Sequence, residues 1–274
     1  MQAARRSIRR RVRSLAALAV CTTLASAAQA QNTWLMPSST VLSSPQCVTV
    51  DAAVSNDLFH FNHVPLGLDN LVVEAPDGSR VEAMNPHRGK LRSVFDLNLD
   101  KTGTWRIAIV NRGAFASYKL GGEQKRWRGP AAQLEKQIPA DATELQITES
   151  VSRVETFATV GKPSAISLQN EGLELVAETH PNDLFADEPA SFRLAVDGKP
   201  AAGVEVTVVA GGTRYRDALA DLNVSTDKEG RFSVTWPAPG LYWLEARVED
   251  DKATIPKAGK RRLGYTATFE VLPQ

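Results

Sequence analysis

The sequence has little cysteine, little histidine and no apolar run long enough for a membrane helix. Its 274 residues include two cysteines and four histidines. Cys21 lies in the N-terminal leader described below, so Cys47 has no partner for an internal disulfide, and we interpret it as a small buried hydrophobic residue. No segment approaches the roughly 18 consecutive apolar residues that a membrane span needs. We therefore expect hydrophobic cores, rather than disulfides, to hold the fold, and no membrane span.

Motifs for catalysis and a basic surface for nucleic acids are also missing. No G-x-S-x-G, H-E-x-x-H or glycine-rich phosphate loop occurs. The first thirty residues contain six of the 32 Lys and Arg and none of the 31 Asp and Glu, which leaves 26 basic and 31 acidic residues, a net charge of −5, in the remainder. A mildly acidic chain without a basic block binds nucleic acids and anionic membranes poorly. We predict a protein that is not an enzyme and has no nucleic-acid partner.

The first thirty residues are typical of a cleavable signal peptide. They combine an arginine-rich start, an apolar segment at 15–24 that is too short to span a bilayer, and the small-residue pattern Ala28-Gln29-Ala30. A twin-arginine signal and a lipoprotein box ending at Cys21 are the alternatives, but neither has its full consensus. We predict cleavage near Ala30-Gln31 and a periplasmic location.

Alternating apolar residues dominate the first half of the remaining chain. The pattern holds over 46–54, 93–100 and 104–111, and the turn at 76–78 joins two short alternating segments. Short alternating strands separated by polar turns predict an antiparallel β-sandwich, which we assign to 31–165.

The region 121–146 interrupts this pattern. It begins with a glycine pair, and Pro130, the helix-forming residues 131–137 and Pro139 together predict a loop with one short helix. Residues 150–164 alternate again, which predicts a strand that returns to the first sandwich.

The second half, 166–274, predicts another sandwich. Its clearest turn is framed by Thr226-Asp227 and Gly230, where glycine can adopt a positive φ, and we expect a hairpin there. About residues 190–250 resemble the prealbumin-like modules of carboxypeptidase regulatory regions. The predicted fold class is all-β, with two antiparallel Ig-like or prealbumin-like sandwiches in tandem and one short helix in the connecting region.

Several segments spread along the chain resemble the DUF4198 family of exported bacterial proteins. They are "TWLMPS" after the leader, "TWRIAIVNRG", "RVETFATVGKPS", "LELVAETHPNDLFADEPASFRLAVDGKPAAGVEVTV" and "DKEGRFSVTWPAPGLYWLEA". The resemblance implies a periplasmic protein linked to nickel, cobalt or iron uptake, with an inner- or outer-membrane transporter component as a partner. In many such sequences a histidine at the new N-terminus would chelate a metal. Here Gln31 and Asn32 stand at those positions, so that chelate is missing.

The remaining candidate metal ligands are histidines and one aspartate. His60 and His63 lie in "NDLFHFNHVP" with Asp57 nearby. If this segment is a strand, the two histidines point to opposite sides, and they share a metal ion only if the chain turns between them. His180 is the next candidate, and an interdomain hydrogen bond is its alternative role. The candidate ions are Ni, Co, Cu or Fe, and the alternative for His60 and His63 is a solvent-facing position.

Arg214, Tyr215 and Arg216 form a candidate ligand-binding loop. Arginine and tyrosine side chains bind carboxylates or sugars, although an exposed loop without a function is the alternative.

Together these features predict an exported periplasmic, non-catalytic accessory protein of transition-metal uptake, which binds a metal or metal complex or contacts a transporter. The alternative is a cell-envelope interaction or scaffold module that binds no metal.

Overall fold

The structure is a computed structural model that describes residues 32–274, so the predicted signal peptide at 1–30 lies outside the described residues. The fold class is all-β, as predicted. Within the described range no helix is long and apolar enough to cross a bilayer. The strands before the helix are β1 (Asn32–Pro37), β2 (Val41–Leu42), β3 (Gln46–Ser55), β4 (Val64–Pro65), β5 (Leu71–Glu74), β6 (Arg80–Val81), β7 (Met84–Arg88), β8 (Ser93–Leu99), β9 (Gly103–Leu120) and β10 (Glu123–Gly129).

A 3₁₀ turn at Ala131–Gln133 leads into the short helix α1 (Leu134–Gln137), which confirms the predicted helix. A second 3₁₀ turn, Thr213–Tyr215, follows β15. The strands after the helix are β11 (Thr143–Val160), β12 (Leu173–Ala177), β13 (Pro189–Val196), β14 (Lys199–Pro200), β15 (Glu205–Ala210), β16 (Leu222–Ser225), β17 (Arg231–Thr235), β18 (Gly240–Asp250) and β19 (Ala258–Val271).

The strands form one large sheet and two smaller ones. The ten-stranded sheet has the order β16-β15-β18-β19-β11-β9-β5-β6, with β10 on β9 and β2 on β11. The five-stranded sheet has the order β1-β3-β8-β7 with β4 on β3, and the four-stranded sheet has the order β12-β13-β14 with β17 on β13. Each smaller sheet packs against part of the large one, so the two sandwiches share a sheet.

The smaller sheets cover opposite faces of the large one. On β11, Val154, Ala158 and Val160 belong to the core beneath the five-stranded sheet. Phe157 belongs to the core beneath the four-stranded sheet. Successive side chains of a strand point to opposite faces, so this alternation places one core on each side of β11.

Two long strands carry the shared sheet through both sandwiches. β9 and β11 pair antiparallel over most of their length, and β11 also pairs parallel with β19. The residues from 32 onward form one compact unit. The predicted boundary between 165 and 166 does not interrupt the large sheet, and Phe157, which precedes it, belongs to the core beneath the four-stranded sheet, so the boundary stays a prediction.

Three local predictions were wrong, and the condition that the segment around His60 is a strand is not met. Part of 121–146 is strand, because Gly121 and Gly122 turn β9 into β10 and β11 already begins at Thr143. The turn before Gly230 exists, but β16 and β17 belong to different sheets. Cys47 is exposed, because its side chain lies on the outer face of β3. Residues 56–63 are loop apart from isolated turns, and Phe59 has a φ of 60°.

Candidate binding site

Two candidate sites that are far apart in sequence meet on one surface. The loop 56–63 contacts the loop 211–216 through a hydrogen bond from the Leu58 amide to Thr213 Oγ1, at 3.2 Å. Arg214 Nη1 lies 3.0 Å from Nε2 and 3.1 Å from Nδ1 of His60. We call this surface, made of residues 56–63 and 211–216, the two-loop surface.

Close backbone approach requires a glycine at this contact. A Cβ atom built on Gly211 would lie 3.1 Å from the Phe59 ring and 3.2 Å from the Leu241 carbonyl oxygen. The positive φ of Phe59 turns the first loop toward the second. Because residues other than glycine, asparagine and aspartate seldom adopt this conformation, packing must hold it in place.

An aromatic cluster supports the two-loop surface. Trp34 on β1 is fully buried, and its ring centroid lies 5.5 Å from that of Phe59 and 5.4 Å from that of Phe61. Its indole N–H donates to Ser55 Oγ at 2.7 Å. Met36 packs on the same cluster, because Trp34 and Met36 share a face of β1. The loops therefore rest on a packed base.

The three residues of the predicted ligand-binding loop have different roles. Arg216 donates to three backbone carbonyls of its own loop, those of Gly211, Ala210 and Leu219, and so holds the loop together. Arg214 stacks over the Tyr215 ring at 5.2 Å, and Tyr215 is 81% exposed. Of the three residues, Arg214 and Tyr215 are thus the exposed ones.

The candidate metal ligands do not converge. Within residues 32–274, no group of three or more His, Cys, Asp or Glu side chains is arranged to hold a metal ion. Asp57 Oδ2 accepts a hydrogen bond from Asn62 at 2.7 Å, and His60 faces the guanidinium of Arg214. A guanidinium beside an imidazole competes for the lone pair that a metal would need and repels a cation. The metal prediction for Asp57, His60 and His63 gains no support from this geometry and stays a prediction.

His180 lies elsewhere, in a polar network between the two halves of the chain. Its Nε2 is 2.8 Å from Thr104 Oγ1 on β9, and its Nδ1 accepts from the backbone N–H of Asn182 at 3.1 Å. The Thr159 hydroxyl uses its one proton to donate to Asn182 Oδ1, so it accepts from the Thr104 hydroxyl. The Thr104 hydroxyl has then used its own proton, and it accepts from His180 Nε2–H. Burial lowers the pKa of His180 below its ordinary value. This geometry fits the hydrogen-bonding alternative for His180, and its metal role stays a prediction.

Sequence reasoning missed a buried group of charges. Arg106 and Arg153 are each 5% exposed, while Glu155 and Glu174 are fully buried. In "TWRIAIVN" and "SVSRVETF" these charges alternate with apolar residues, a pattern typical of a solvent-facing side. They are buried because the chain at 167–174 covers this face of β9 and β11. We call Arg106, Arg153, Glu155 and Glu174 the buried charge cluster.

Close ion pairs hold the buried charge cluster. Arg106 Nε lies 2.8 Å from Glu155 Oε2 and its Nη2 lies 3.4 Å from Glu174 Oε1. Burial alone would lower the pKa of Arg106, but the Glu155 carboxylate outweighs it and raises the pKa. Burial, followed by the Glu155 charge, raises the pKa of Tyr265, whose hydroxyl donates to Glu155 at 2.6 Å.

The cluster borders an open cleft of about 330 Å³ on the large sheet. Its floor is formed by Arg106, Ala108 and Arg153, and Arg112 pairs with Glu171 at the rim. The hydrogen bond from Arg112 holds the pKa of Glu171 below its usual value. We call this the arginine cleft.

The fold and these two surfaces define an all-β protein with candidate binding sites on a shared-sheet double sandwich. The chain belongs to the family described as "Domain of unknown function (DUF4198)", whose model matches residues 28–250. No curated protein matches the sequence.

Solved structures with some likeness include an intimin fragment, an adhesin and an alpha-2-macroglobulin. The D0-D1 domain of intimin is 13% identical, with 86% of this chain and 96% of that chain covered and a TM-score of 0.21. The Escherichia coli adhesin FdeC is 16% identical, with 89% and 63% covered and a TM-score of 0.22. Escherichia coli alpha-2-macroglobulin is 14% identical, with 89% of this chain but only 20% of that chain covered and a TM-score of 0.22. At these scores the likenesses say nothing about function.

Proposed function

We propose that this chain is an exported, periplasmic, non-catalytic accessory protein of nickel, cobalt or iron uptake. In this role it contacts a transporter component or an anionic metal complex, rather than coordinating a bare ion. The uptake role and the location follow from the family resemblance and the leader sequence. The observation that supports this mode of action is the pairing of His60 with Arg214 on the two-loop surface.

The chemistry of the two-loop surface favours an anionic or aromatic partner. Arg214 presents a guanidinium, which binds carboxylates through paired hydrogen bonds. Tyr215 is largely exposed, and tyrosine and arginine are enriched among residues that dominate binding energy at interfaces. The packed base of Trp34 lowers the entropic cost of ordering the loops on binding. A carboxylate-rich chelate or an acidic patch on a transporter fits these groups.

Calorimetry separates a bare ion from a complex. Purified protein is titrated with Ni²⁺, Co²⁺, Cu²⁺, Zn²⁺ and Fe³⁺, and then with the citrate complexes of nickel and iron. We expect no bare ion to bind more tightly than about millimolar. Binding of a complex should be lost in Arg214→Ala/Tyr215→Ala and kept in Arg126→Ala, which removes an exposed arginine from β10.

Tight binding of a bare ion that disappears in His60→Ala/His63→Ala would contradict this mode of action and restore the metal-ligand interpretation. Crosslinking from position 215 in the periplasm addresses the transporter alternative. Capture of a metal transporter component would support the proposal.

A scaffold module of the cell envelope that binds no metal is the second candidate, and the exposure of Tyr215 also favours it. Radiolabelled metal uptake distinguishes the two functions. An accessory role predicts reduced uptake in cells that carry Arg214→Ala/Tyr215→Ala, whereas a scaffold role predicts unchanged uptake and capture of an envelope protein that is not a transporter.

A further inference from the structure

Arg153 is a buried guanidinium without hydrogen bonds to the described residues. Its side chain is 6% exposed, and its Nε is fully buried with no partner. Its terminal nitrogens lie 3.7 Å from Glu155 Oε2 and 3.6 Å from Glu174 Oε1, beyond hydrogen-bonding distance. A guanidinium has five N–H donors, and leaving such donors unpaired in a buried site is costly. The two terminal nitrogens of Arg153, which border the cleft, are thus free to pair with an acceptor that enters it.

The carboxylate of Glu155 is already committed to other donors. Its Oε1 accepts from the Tyr265 hydroxyl at 2.6 Å, and its Oε2 accepts from Arg106 Nε at 2.8 Å. Glu155 therefore balances the charge of Arg153 across 3.7 Å, but it accepts no hydrogen bond from the Arg153 guanidinium.

The carboxylate of Glu174 is committed as well. Its Oε1 accepts from the backbone N–H of Gln169 at 2.9 Å, and its Oε2 accepts from the backbone N–H of Glu171 at 3.2 Å. These bonds tie the covering segment to the cluster. Arg106 differs from Arg153, because its guanidinium is hydrogen-bonded within the protein and also donates to the Ser167 carbonyl oxygen at 2.9 Å.

Arg153 lines the arginine cleft, whose volume of about 330 Å³ suits a small molecule. Val110 and Val72 form apolar walls beside Ala108 on the floor. The further charged residues that line the cleft are the basic Arg80 and the acidic Asp69 and Glu74. Mixed charges at the rim disfavour a ligand with several negative charges.

We propose that the arginine cleft binds a small monocarboxylate, such as a simple organic acid or an amino acid, whose carboxylate accepts hydrogen bonds from Arg153. Planar guanidinium and carboxylate groups form two parallel hydrogen bonds, which a lysine cannot reproduce. The apolar walls contact the carbon skeleton of the ligand. The site is separate from the two-loop surface, so it does not depend on the function proposed above.

The test uses the purified chain with acetate, propionate, alanine, citrate and inorganic phosphate, measured by calorimetry and by the shift in melting temperature. We expect a monocarboxylate to bind and to raise the melting temperature. Arg153→Lys keeps the positive charge but cannot form two parallel hydrogen bonds with a carboxylate, and it should weaken monocarboxylate binding about 10- to 100-fold. Arg214→Ala/Tyr215→Ala should leave it unchanged.

A second variant keeps the test informative if Arg153→Lys is poorly folded. Val72→Phe fills the cleft from a partly exposed position on β5, and should abolish binding without touching the buried charges. Val64→Phe adds the same volume at an exposed position on β4 and is the matched control.

Three results would overturn the proposal. One is the absence of binding by any monocarboxylate at concentrations up to about 10 mM. Another is binding that persists in Val72→Phe, and the last is a preference for citrate or phosphate over every monocarboxylate.

Discussion

Glu155→Gln is the sharpest test of the buried charge cluster, because it removes one charge and almost no volume. Glutamine is able to keep the hydrogen bond that Arg106 donates, since its amide oxygen takes the place of Oε2. Its amide nitrogen then faces the Tyr265 hydroxyl, which turns to accept. The variant therefore isolates the loss of the negative charge from the loss of packing.

The expected loss of stability follows from the charge balance. With Glu155 neutral, Arg106 and Arg153 share Glu174 as their only buried carboxylate in the cluster. Glu174 is 3.4 Å from Arg106 and 3.6 Å from Arg153, so neither pair replaces the 2.8 Å contact. Removing one partner of a buried ion pair costs about 3–5 kcal/mol, because it leaves an uncompensated buried charge. We expect Glu155→Gln to lower the free energy of unfolding by that amount.

Equilibrium unfolding in urea at pH 7 measures this loss. The matched control is Glu245→Gln on β18, which removes a carboxylate paired with the exposed Arg247 at 2.6 Å. Exposed pairs contribute about 0–1 kcal/mol, so the control should change the free energy of unfolding little. A loss for Glu155→Gln no larger than that of the control would refute the argument that the cluster is desolvated.

Three further predictions concern other parts of the fold. Because burial lowers the pKa of His180 in the folded state, the unfolded chain takes up this proton at a higher pH than the folded chain does, and stability should fall as the pH drops below about 6.5. Melting temperatures measured from pH 8 to pH 5 should fall less in His180→Gln than in the unchanged chain. His87→Gln, at an exposed site, should behave like the unchanged chain. Gly230→Ala should lower the free energy of unfolding in urea by about 1–3 kcal/mol more than Gly78→Ala. Both glycines have a positive φ, but a Cβ at Gly230 would lie 2.5 Å from the Leu194 carbonyl oxygen, whereas a Cβ at Gly78 would meet no atom within 4 Å. Trp34→Ala should cost about 3–5 kcal/mol by the same measurement, since it empties the base of the two-loop surface, and a loss below about 1 kcal/mol would contradict that packing.

Alternation in the sequence predicted which residues of individual strands face a core. The pattern of Phe95, Leu97 and Leu99 on β8 and of Trp105, Ile107 and Ile109 on β9 was confirmed. It did not predict which sheet covers each strand, because period-two patterning assigns a face without naming the partner. The parallel pairing of β11 with β19 joins residues more than 100 positions apart and has no local signal.

The candidate site shows the same limit. Asp57, His60 and Arg214 were each singled out from local residue types. A contact between positions 60 and 214, however, depends on the finished fold, in which β1 lies beside β3 and β15 beside β18. Arg106 and Arg153 were not singled out at all. A charge on the second face of an alternating strand indicates solvent, unless another segment of the chain covers that face.

A shared sheet explains why the charges lie where they do. β9 and β11 have one face under the five-stranded sheet, while their other face is covered by the four-stranded sheet and, near α1, by a further apolar cluster. At the limit of that cover, residues 167–171 cross the large sheet without pairing into a strand, so their amides need acceptors. Glu174 accepts from the backbone amides of Gln169 and Glu171, and the arginines balance the buried carboxylates. The arginine cleft is the uncovered continuation of this junction. Binding sites tend to occur where two packed units meet, so one structural feature accounts both for the cost expected of Glu155→Gln and for the unpaired donors of Arg153.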